Sequence, residues 1–210
     1  YQAWAAGDLT RDDLREYSRN YYHHVEAFPG YLAQFGIRLD EGSLRRAVLA
    51  NLADETGTRD SESDSAPAHS ELWLDFVEGM GSNRALHGHK PVPEIKQLME
   101  FFYNVASEGA PEEALAAFYA YESQVPRIAK EKARGLRELY GASEKTCAYF
   151  TLHTTADIFH SQVWLRLLRV FVESNPEASA RALNAAENAS MALWRALDGV
   201  EATRTAKAAA

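Results

Sequence analysis

Apolar residues recur along this chain at steps of three and four positions, which is the spacing of one face of an α-helix. Ala, Leu, Glu and Arg, which favour helices, dominate, and nothing reads convincingly as a strand. The pattern predicts an all-α protein with a bundle of seven to eight helices. Because no repeat or linker divides the chain, we expect residues 1–210 to form a single domain.

Caps, glycines and prolines predict where the helices begin and end. Thr10 is a plausible N-cap for a helix that ends at Pro29-Gly30, and a further helix follows from Tyr31. Further helices are predicted at about 41–55, 69–79, 93–107, 111–140 with a kink at Pro126, 143–171 and 175–199. Gly141 is predicted to end the helix over 111–140, and Ser143 to cap the one over 143–171. Residues 56–67, rich in Gly, Ser and acidic side chains, predict a mobile surface loop. The chain opens on Tyr1 without Met, which we interpret as a trimmed N-terminus.

Composition narrows the classes of partner. The 210 residues carry a net charge of −8, which argues against nucleic acid, since phosphate binding requires clustered Lys and Arg. No apolar run approaches the roughly 20 residues that span a bilayer, so we expect no membrane partner. A single cysteine, Cys147, is typical of a reducing compartment and predicts a cytoplasmic protein.

The segment 149–171 contains polar residues where its apolar stripe should face the core. His153, Asp157 and His160 lie on the same side of the predicted helix as Trp164 and Phe171. Imidazole and carboxylate are the groups that bind borderline or hard metal ions. A structural hydrogen-bond ladder is the alternative interpretation.

Other ionisable residues also occupy positions where helical spacing favours apolar ones, namely Glu55, His69 and Glu122. With the central three they make three carboxylates and three imidazoles, an inventory that suits two iron or manganese ions. The absence of thiolates argues against structural zinc, whereas catalytic zinc would leave carboxylates unexplained. The Glu-x-x-His pair of ferritin-like sites is absent. His87-Gly88-His89 is interpreted as an exposed turn, and His23 and His24 as surface residues or outer neighbours of the site.

These residues lie within longer motifs that resemble the heme-oxygenase-like dimetal oxidases, in particular the subgroup typified by the chlamydia protein associating with death domains (CADD), within the TenA/PqqC-like superfamily. The motifs are Asn51-Leu-Ala-Asp-Glu55, His69-x-x-Leu-Trp73, Tyr121-Glu-Ser-Gln-Val-Pro126 with Lys132 following, His153-x3-Asp157-x2-His160, and Tyr-Tyr-His-His at 21–24. The resemblance implies a heme-oxygenase-like bundle and an O₂-activating oxidase that uses an external reductant. It also implies two metal ions, Fe/Fe or Mn/Fe, bound by Glu55, His69, Glu122, His153, Asp157 and His160.

The resemblance further implies para-aminobenzoate formation for folate biosynthesis. Members of the subgroup are thought to excise the ring from one of their own tyrosines, with a lysine as amine donor. The matching positions are Tyr1 and Lys132, and Tyr17 and Tyr121 match further tyrosines near the site. Such a protein would act for a single turnover. Family members tend to be homodimers, so we expect the same here.

One departure and two alternatives remain. The stretch between Glu55 and His69 is longer than the short turn expected of the family, so His69 could be held loosely and one metal position left weak or empty. An oxidase of the same scaffold acting on an external small molecule would not require Tyr1. A metal-free helical protein that binds a ligand or partner would use the polar stripe only as a hydrogen-bond network.

Overall fold

The computed structural model describes residues 2–57, 66–173 and 175–208, and these residues contain helices and turns but no strand. The helices are α1 (Gln2–Ala6), α2 (Arg11–Arg38), α3 (Ser43–Thr56), α4 (His69–Gly79), α5 (Pro93–Ser107), α6 (Pro111–Glu122), α7 (Val125–Tyr140), α8 (Glu144–His153), α9 (Ala156–Val172) and α10 (Pro176–Ala208). The predicted all-α class is confirmed. Residues 58–65, most of the predicted mobile loop, lie outside the described residues.

Two long helices organise the packing. α2 packs against α3, α4 and α5, while α10 packs against α5, α6 and α9. The remaining close pairs are α4 with α8, α6 with α9, and α7 with α8. Large rings fill the space between these helices, and the fully buried ones include Trp73, Trp164, Phe35, Phe102 and Phe118. Among the helices described here, none combines the length and the hydropathy that a transmembrane span requires.

Helix α2 does not end where the sequence predicts. Pro29 lies inside it, and the helix continues to Arg38. An internal proline costs about 3 kcal/mol, because it removes one backbone hydrogen bond and crowds the preceding turn. The continuing turns bury Tyr31, Leu32 and Phe35, and each such side chain contributes about 1.5–3 kcal/mol. Packing against neighbouring helices therefore outweighs the local proline signal.

The predicted helix over 143–171 is also interrupted, which corrects the single stripe expected there. α8 ends at His153, and Thr154 and Thr155 separate it from α9. The hydroxyl of Thr154 donates to the carbonyl of Thr151 at 2.7 Å, and that of Thr155 to Leu152 at 3.3 Å. Threonine hydroxyls that bond to nearby carbonyls compete with the helical hydrogen-bond ladder, which accounts for a break at this pair.

The kink predicted near Pro126 is a complete break between α6 and α7. Pro126 has no N–H for the carbonyl of Glu122, so α6 ends at Glu122 and α7 begins at Val125. The predicted caps are confirmed elsewhere. Thr10 and Asp13 form a capping box, and the Ser143 hydroxyl accepts from the backbone N–H of Thr146 at 3.2 Å. The last helix, predicted to end near Gly199, extends to Ala208.

Candidate metal centre

The six predicted ligands come from five helices, and most of them stand at helix ends. His69 is the first residue of α4, while Glu122 and His153 are the last residues of α6 and α8. Glu55 lies in the last turn of α3, and Asp157 and His160 follow at the start of α9. All six are buried, with relative exposures of 2–6%. The two helix breaks described above thus bring ionisable side chains to the centre of the bundle.

The six side chains divide into two groups of three, and in each group the possible ligand atoms lie within 4.8 Å of one another. The first group, site 1, is Glu55, His69 and His153; the second, site 2, is Glu122, Asp157 and His160. A small cavity lies between the two sites. The space in it that the centre of a water molecule can occupy is about 10 Å³. Glu55 and His153 of site 1 line it together with Glu122 and Asp157 of site 2, beside Tyr121 and Tyr149.

The donor set fits a metal ion at each site. Nδ1 of His69 is 2.8 Å from Oε2 of Glu55, and Nδ1 of His160 is 3.4 Å from Oδ1 of Asp157. Neither nitrogen makes a hydrogen bond, although both are buried. Buried polar atoms normally have a partner, and imidazole with carboxylate is a common ligand set for iron and manganese. The arrangement therefore fits a dimetal site.

Further groups hold the candidate ligands from outside. Asn51 Nδ2 donates to Oε1 of Glu122 at 3.4 Å, and the Trp164 indole N–H donates to Oε2. His153 Nδ1 lies 2.7 Å from the carbonyl oxygen of Tyr149, which leaves Nε2 for a ligand. Such partners fix the orientation and tautomer of metal ligands.

The electrostatics of site 2 also favour a bound cation. Burial, with the charges of Asp157 and Glu55, raises the pKa of Glu122 well above its ordinary range. Burial opposes the charged form of His160, but the adjacent Asp157, Glu122 and Asp54 carboxylates raise its pKa to about 9. For His153 burial is the larger effect and lowers the pKa. Glu55, Glu122 and Asp157 are buried together, and three such carboxylates are costly unless positive charge compensates them.

Lys132 and Tyr17, both predicted to take part in the chemistry, are in contact. The ammonium of Lys132 donates to the Tyr17 hydroxyl and lies 4.3 Å from the centroid of that ring. The Phe150 ring centroid is 5.5 Å from the same nitrogen and that of Tyr21 is 5.9 Å away. Although the residue as a whole is half-buried, its nitrogen lies among rings, and this burial lowers the pKa of Lys132 to about 7.

A row of tyrosines connects Lys132 to the cavity. The Tyr17 and Tyr21 ring centroids are 5.6 Å apart, and the hydroxyls of Tyr21 and Tyr121 are 3.5 Å apart. Tyr121 lines the cavity between the sites. Tyr1 lies outside the described residues, so its predicted role is not tested by the structure.

Sequence reasoning missed the surroundings of several aromatic residues, some of which lie next to the centre. Tyr21 and Tyr149 read as ordinary apolar positions, yet Tyr149 stacks on His153 with ring centroids 4.0 Å apart. His24, expected at the surface or just outside the site, is fully buried among aromatic rings with no hydrogen-bond partner on either nitrogen. His89, read as part of an exposed turn, is half-buried, and its Nδ1 lies 3.0 Å from His23 Nε2. Helical spacing alone did not distinguish these residues from ordinary core or surface residues.

Comparison with known protein families identifies the family of the chain. The family described as "Iron-containing redox enzyme", in the heme-oxygenase-like group, matches residues 15–194. The chain belongs to this family. It is therefore an enzyme of redox chemistry, and the predicted resemblance is confirmed.

Curated relatives named 4-aminobenzoate synthase include one from Chlamydia trachomatis and one from Nitrosomonas europaea. The one from Chlamydia trachomatis is 34% identical over 200 residues, covering 94% of this chain and 82% of the relative. The one from Nitrosomonas europaea is 35% identical over 211 residues, covering 95% and 82%. A solved structure from Shewanella denitrificans, described as having a heme oxygenase-like fold, superposes with a TM-score of 0.81 at 19% identity, over 97% of this chain and 84% of that one. This last likeness confirms the predicted heme-oxygenase-like fold.

Proposed function

We propose that site 1 and site 2 each bind one metal ion, Fe/Fe or Mn/Fe, and that the pair activates O₂ with electrons from an external reductant. The observation that carries the proposal is the meeting of the two buried three-ligand groups at one cavity. The membership in a family of iron-containing redox enzymes supports iron as one of the metals. When bound, the ions supply oxidising power that no side chain provides by itself.

The cavity favours a small co-substrate. Its volume of about 10 Å³ admits about one water molecule, a size that suits O₂ better than an organic substrate. Val25 and Phe28 make part of the lining apolar, which disfavours bulk water beside the ligands. An external small molecule is the alternative substrate, but it would require the helices around the cavity to move apart.

We further propose that the product is para-aminobenzoate, for folate biosynthesis, and that its ring derives from Tyr1. The names of the curated relatives support this product. The packing of helix α1 beside α7 supports Tyr1 as the source of the ring. An added Cβ on Gly7 would lie 3.7 Å from Leu139, and one on Gly135 would lie 2.5 Å from the Trp4 ring. The N-terminal end of α1 is therefore the end directed toward the Lys132 turn of α7.

Lys132 is proposed to donate the amine. An ammonium ion has no lone pair and cannot act as a nucleophile, so a donor must be neutral for part of the time. The ring environment that lowers the pKa of Lys132 to about 7 provides a substantial neutral fraction at neutral pH. The Tyr17 hydroxyl holds the nitrogen in place.

Tyr17 and Tyr121 are proposed to carry oxidising equivalents from the metal centre to the Lys132 region. Tyr121 lies at the cavity and Tyr17 at the amine, and Tyr21 bridges them through its hydroxyl and ring contacts. Burial raises the pKa of all three phenols, so each is a neutral phenol before it is oxidised. The row of contacts provides a route by which a centre inside the bundle could oxidise a group near Lys132.

The test is reconstitution of the metal-free protein with Fe(II) and Mn(II) under anaerobic conditions, followed by O₂ and a reductant. Wild type is expected to bind about two ions per chain and to form para-aminobenzoate, measured by mass spectrometry. Protein made with ¹⁵N-lysine should yield ¹⁵N-labelled product. Lys132→Arg and Tyr1→Phe should each abolish product while metal binding remains, and Lys130→Arg on the same helix is the matched control.

Each negative result points to a different alternative. Product formation by Tyr1→Phe would exclude Tyr1 as the source of the ring and favour an external substrate. Wild type that binds no metal under reducing conditions would refute the oxidase and leave a helical binding protein. A homodimer and a cytoplasmic location stay predictions from the sequence.

A further inference from the structure

Asp54 contacts the metal centre from the protein surface. It precedes Glu55 on α3, and its side chain is 59% exposed, whereas that of His160 is only 5% exposed. Nε2 of His160 donates a hydrogen bond to Oδ2 of Asp54 at 3.1 Å. An exposed carboxylate is thus bonded directly to one of the six candidate ligands.

The bond determines which nitrogen of His160 faces site 2. A neutral imidazole carries one proton, and the nitrogen that donates it cannot also bind a metal ion. With Nε2 engaged by Asp54, the neutral form of His160 that can bind a metal ion has its lone pair on Nδ1, which faces Asp157 at 3.4 Å and makes no hydrogen bond. The carboxylate therefore selects the tautomer that has its free lone pair directed into the site.

Two other candidate ligands are held by groups inside the protein. His153 is held by the backbone carbonyl of Tyr149, and Glu122 by Asn51 and Trp164, all of them buried. His160 differs from both of them, because its hydrogen-bond partner Asp54 is an exposed side chain. Site 2 is thus oriented partly by a residue that can be replaced without disturbing the core.

We infer that Asp54 is a positioning residue for site 2, which holds His160 so that Nδ1 faces the metal. The inference rests on the proposed dimetal function and extends it to a residue that lies outside the six ligands. Hydrogen bonds of this kind orient the ring and increase its basicity, and their loss typically reduces metal affinity by about 10–100-fold. The effect should fall on site 2 and spare site 1.

The experiment measures the binding of Co²⁺ to metal-free protein under anaerobic conditions by calorimetry and by visible absorption. Asp54→Ala is expected to weaken one of the two binding steps by about 10–100-fold and to leave the other unchanged. Asp54→Asn keeps an oxygen that can accept from Nε2, so its loss should be smaller. Asp40→Asn is the charge-matched control, because the structure records no hydrogen bond or ion pair for Asp40 among the described residues.

A double-mutant cycle separates positioning from a general effect of charge. If Asp54 acts through His160, Asp54→Ala should cause no further loss of affinity in a His160→Ala background. In a His153→Ala background, where site 1 is impaired, the full loss should persist on the remaining ion. Circular dichroism spectra of all variants check that the helices are retained.

The outcomes distinguish this inference from the proposed function. Two ions in wild type, with a weakened second step in Asp54→Ala that vanishes in the His160→Ala background, support the positioning role. Two ions in wild type with unchanged affinities in Asp54→Ala, or an equal loss in Asp40→Asn, overturn it and leave the dimetal centre intact. No ion bound by wild type overturns the proposed function itself.

Discussion

Replacing Lys132 by methionine removes an amine whose charged form is disfavoured by the rings around it. Burial lowers the pKa of Lys132 from 10.5 to about 7. In the unfolded chain the amine is charged up to about pH 10.5, whereas in the folded protein it loses its proton near pH 7. The unfolded state thus binds more protons between these values, and the wild-type free energy of unfolding should rise with pH across this window.

The magnitude follows from the pKa difference. Each unit corresponds to about 1.36 kcal/mol, so burial of the charged amine destabilises the wild type by about 4 kcal/mol at pH 7 and by about 1 kcal/mol at pH 9.5. Methionine has no such dependence. It leaves the Tyr17 hydroxyl without its partner, a pH-independent loss of about 1–3 kcal/mol. The free-energy difference between Lys132→Met and wild type should therefore shift by about 3 kcal/mol against the variant from pH 7 to pH 9.5.

The assay is urea unfolding of the metal-free protein, followed by circular dichroism at several pH values between 7 and 9.5. Groups common to both proteins, including the six candidate ligands, contribute equally and cancel in the difference. Lys130→Met is the control, because Lys130 is exposed on the same helix. A difference for Lys132→Met that stays constant with pH, as expected for Lys130→Met, would refute the burial of the amine and with it the case for a neutral donor.

Three further predictions concern other contacts. Gly135→Val places a side chain against the Trp4 ring, so α1 should become sensitive to limited proteolysis. The yield of para-aminobenzoate should fall at least about 10-fold while two ions still bind, and an unchanged yield would contradict the role of α1. Pro29→Ala restores a helical hydrogen bond in α2 and should stabilise the protein by about 1–3 kcal/mol in urea unfolding, whereas destabilisation would show that the proline is needed there. Sedimentation velocity is expected to find a homodimer, and a single species with the mass of one chain would contradict it.

Much of the helical structure followed from local sequence. The N-caps at Thr10 and Ser143 lie where their hydroxyl side chains predict them. Helix α7 ends at Gly141 as predicted, and this glycine adopts a left-handed φ of +61°. The errors lie at Pro29, where packing overrides a helix-breaking residue, at the Thr154-Thr155 pair, and at Gly199, where the last helix continues to Ala208. Local rules describe the preference of a segment in isolation and omit the burial that neighbouring helices provide.

The candidate ligands were also found from sequence, because ionisable residues on an apolar face are conspicuous. Asp54 and Tyr21 lie within motifs that carry the family resemblance, but their roles were missed for the opposite reason. Asp54 looks like any solvated acid at the end of a helix, and Tyr21 like any aromatic core residue. Their importance arises from His160 and Tyr121, which are about 100 residues away in the chain.

The sequence by itself determined the helical class, the inventory of three carboxylates and three imidazoles, and the family resemblance. Those properties are local, since they depend on periodicity and on motif residues close together in the chain. Only the tertiary structure decided that the six side chains divide into two groups of three on either side of one cavity. It alone placed Lys132 among rings that lower its pKa. Both outcomes depend on the meeting of helix ends from distant segments, because burial and distance exist only once the helices have packed.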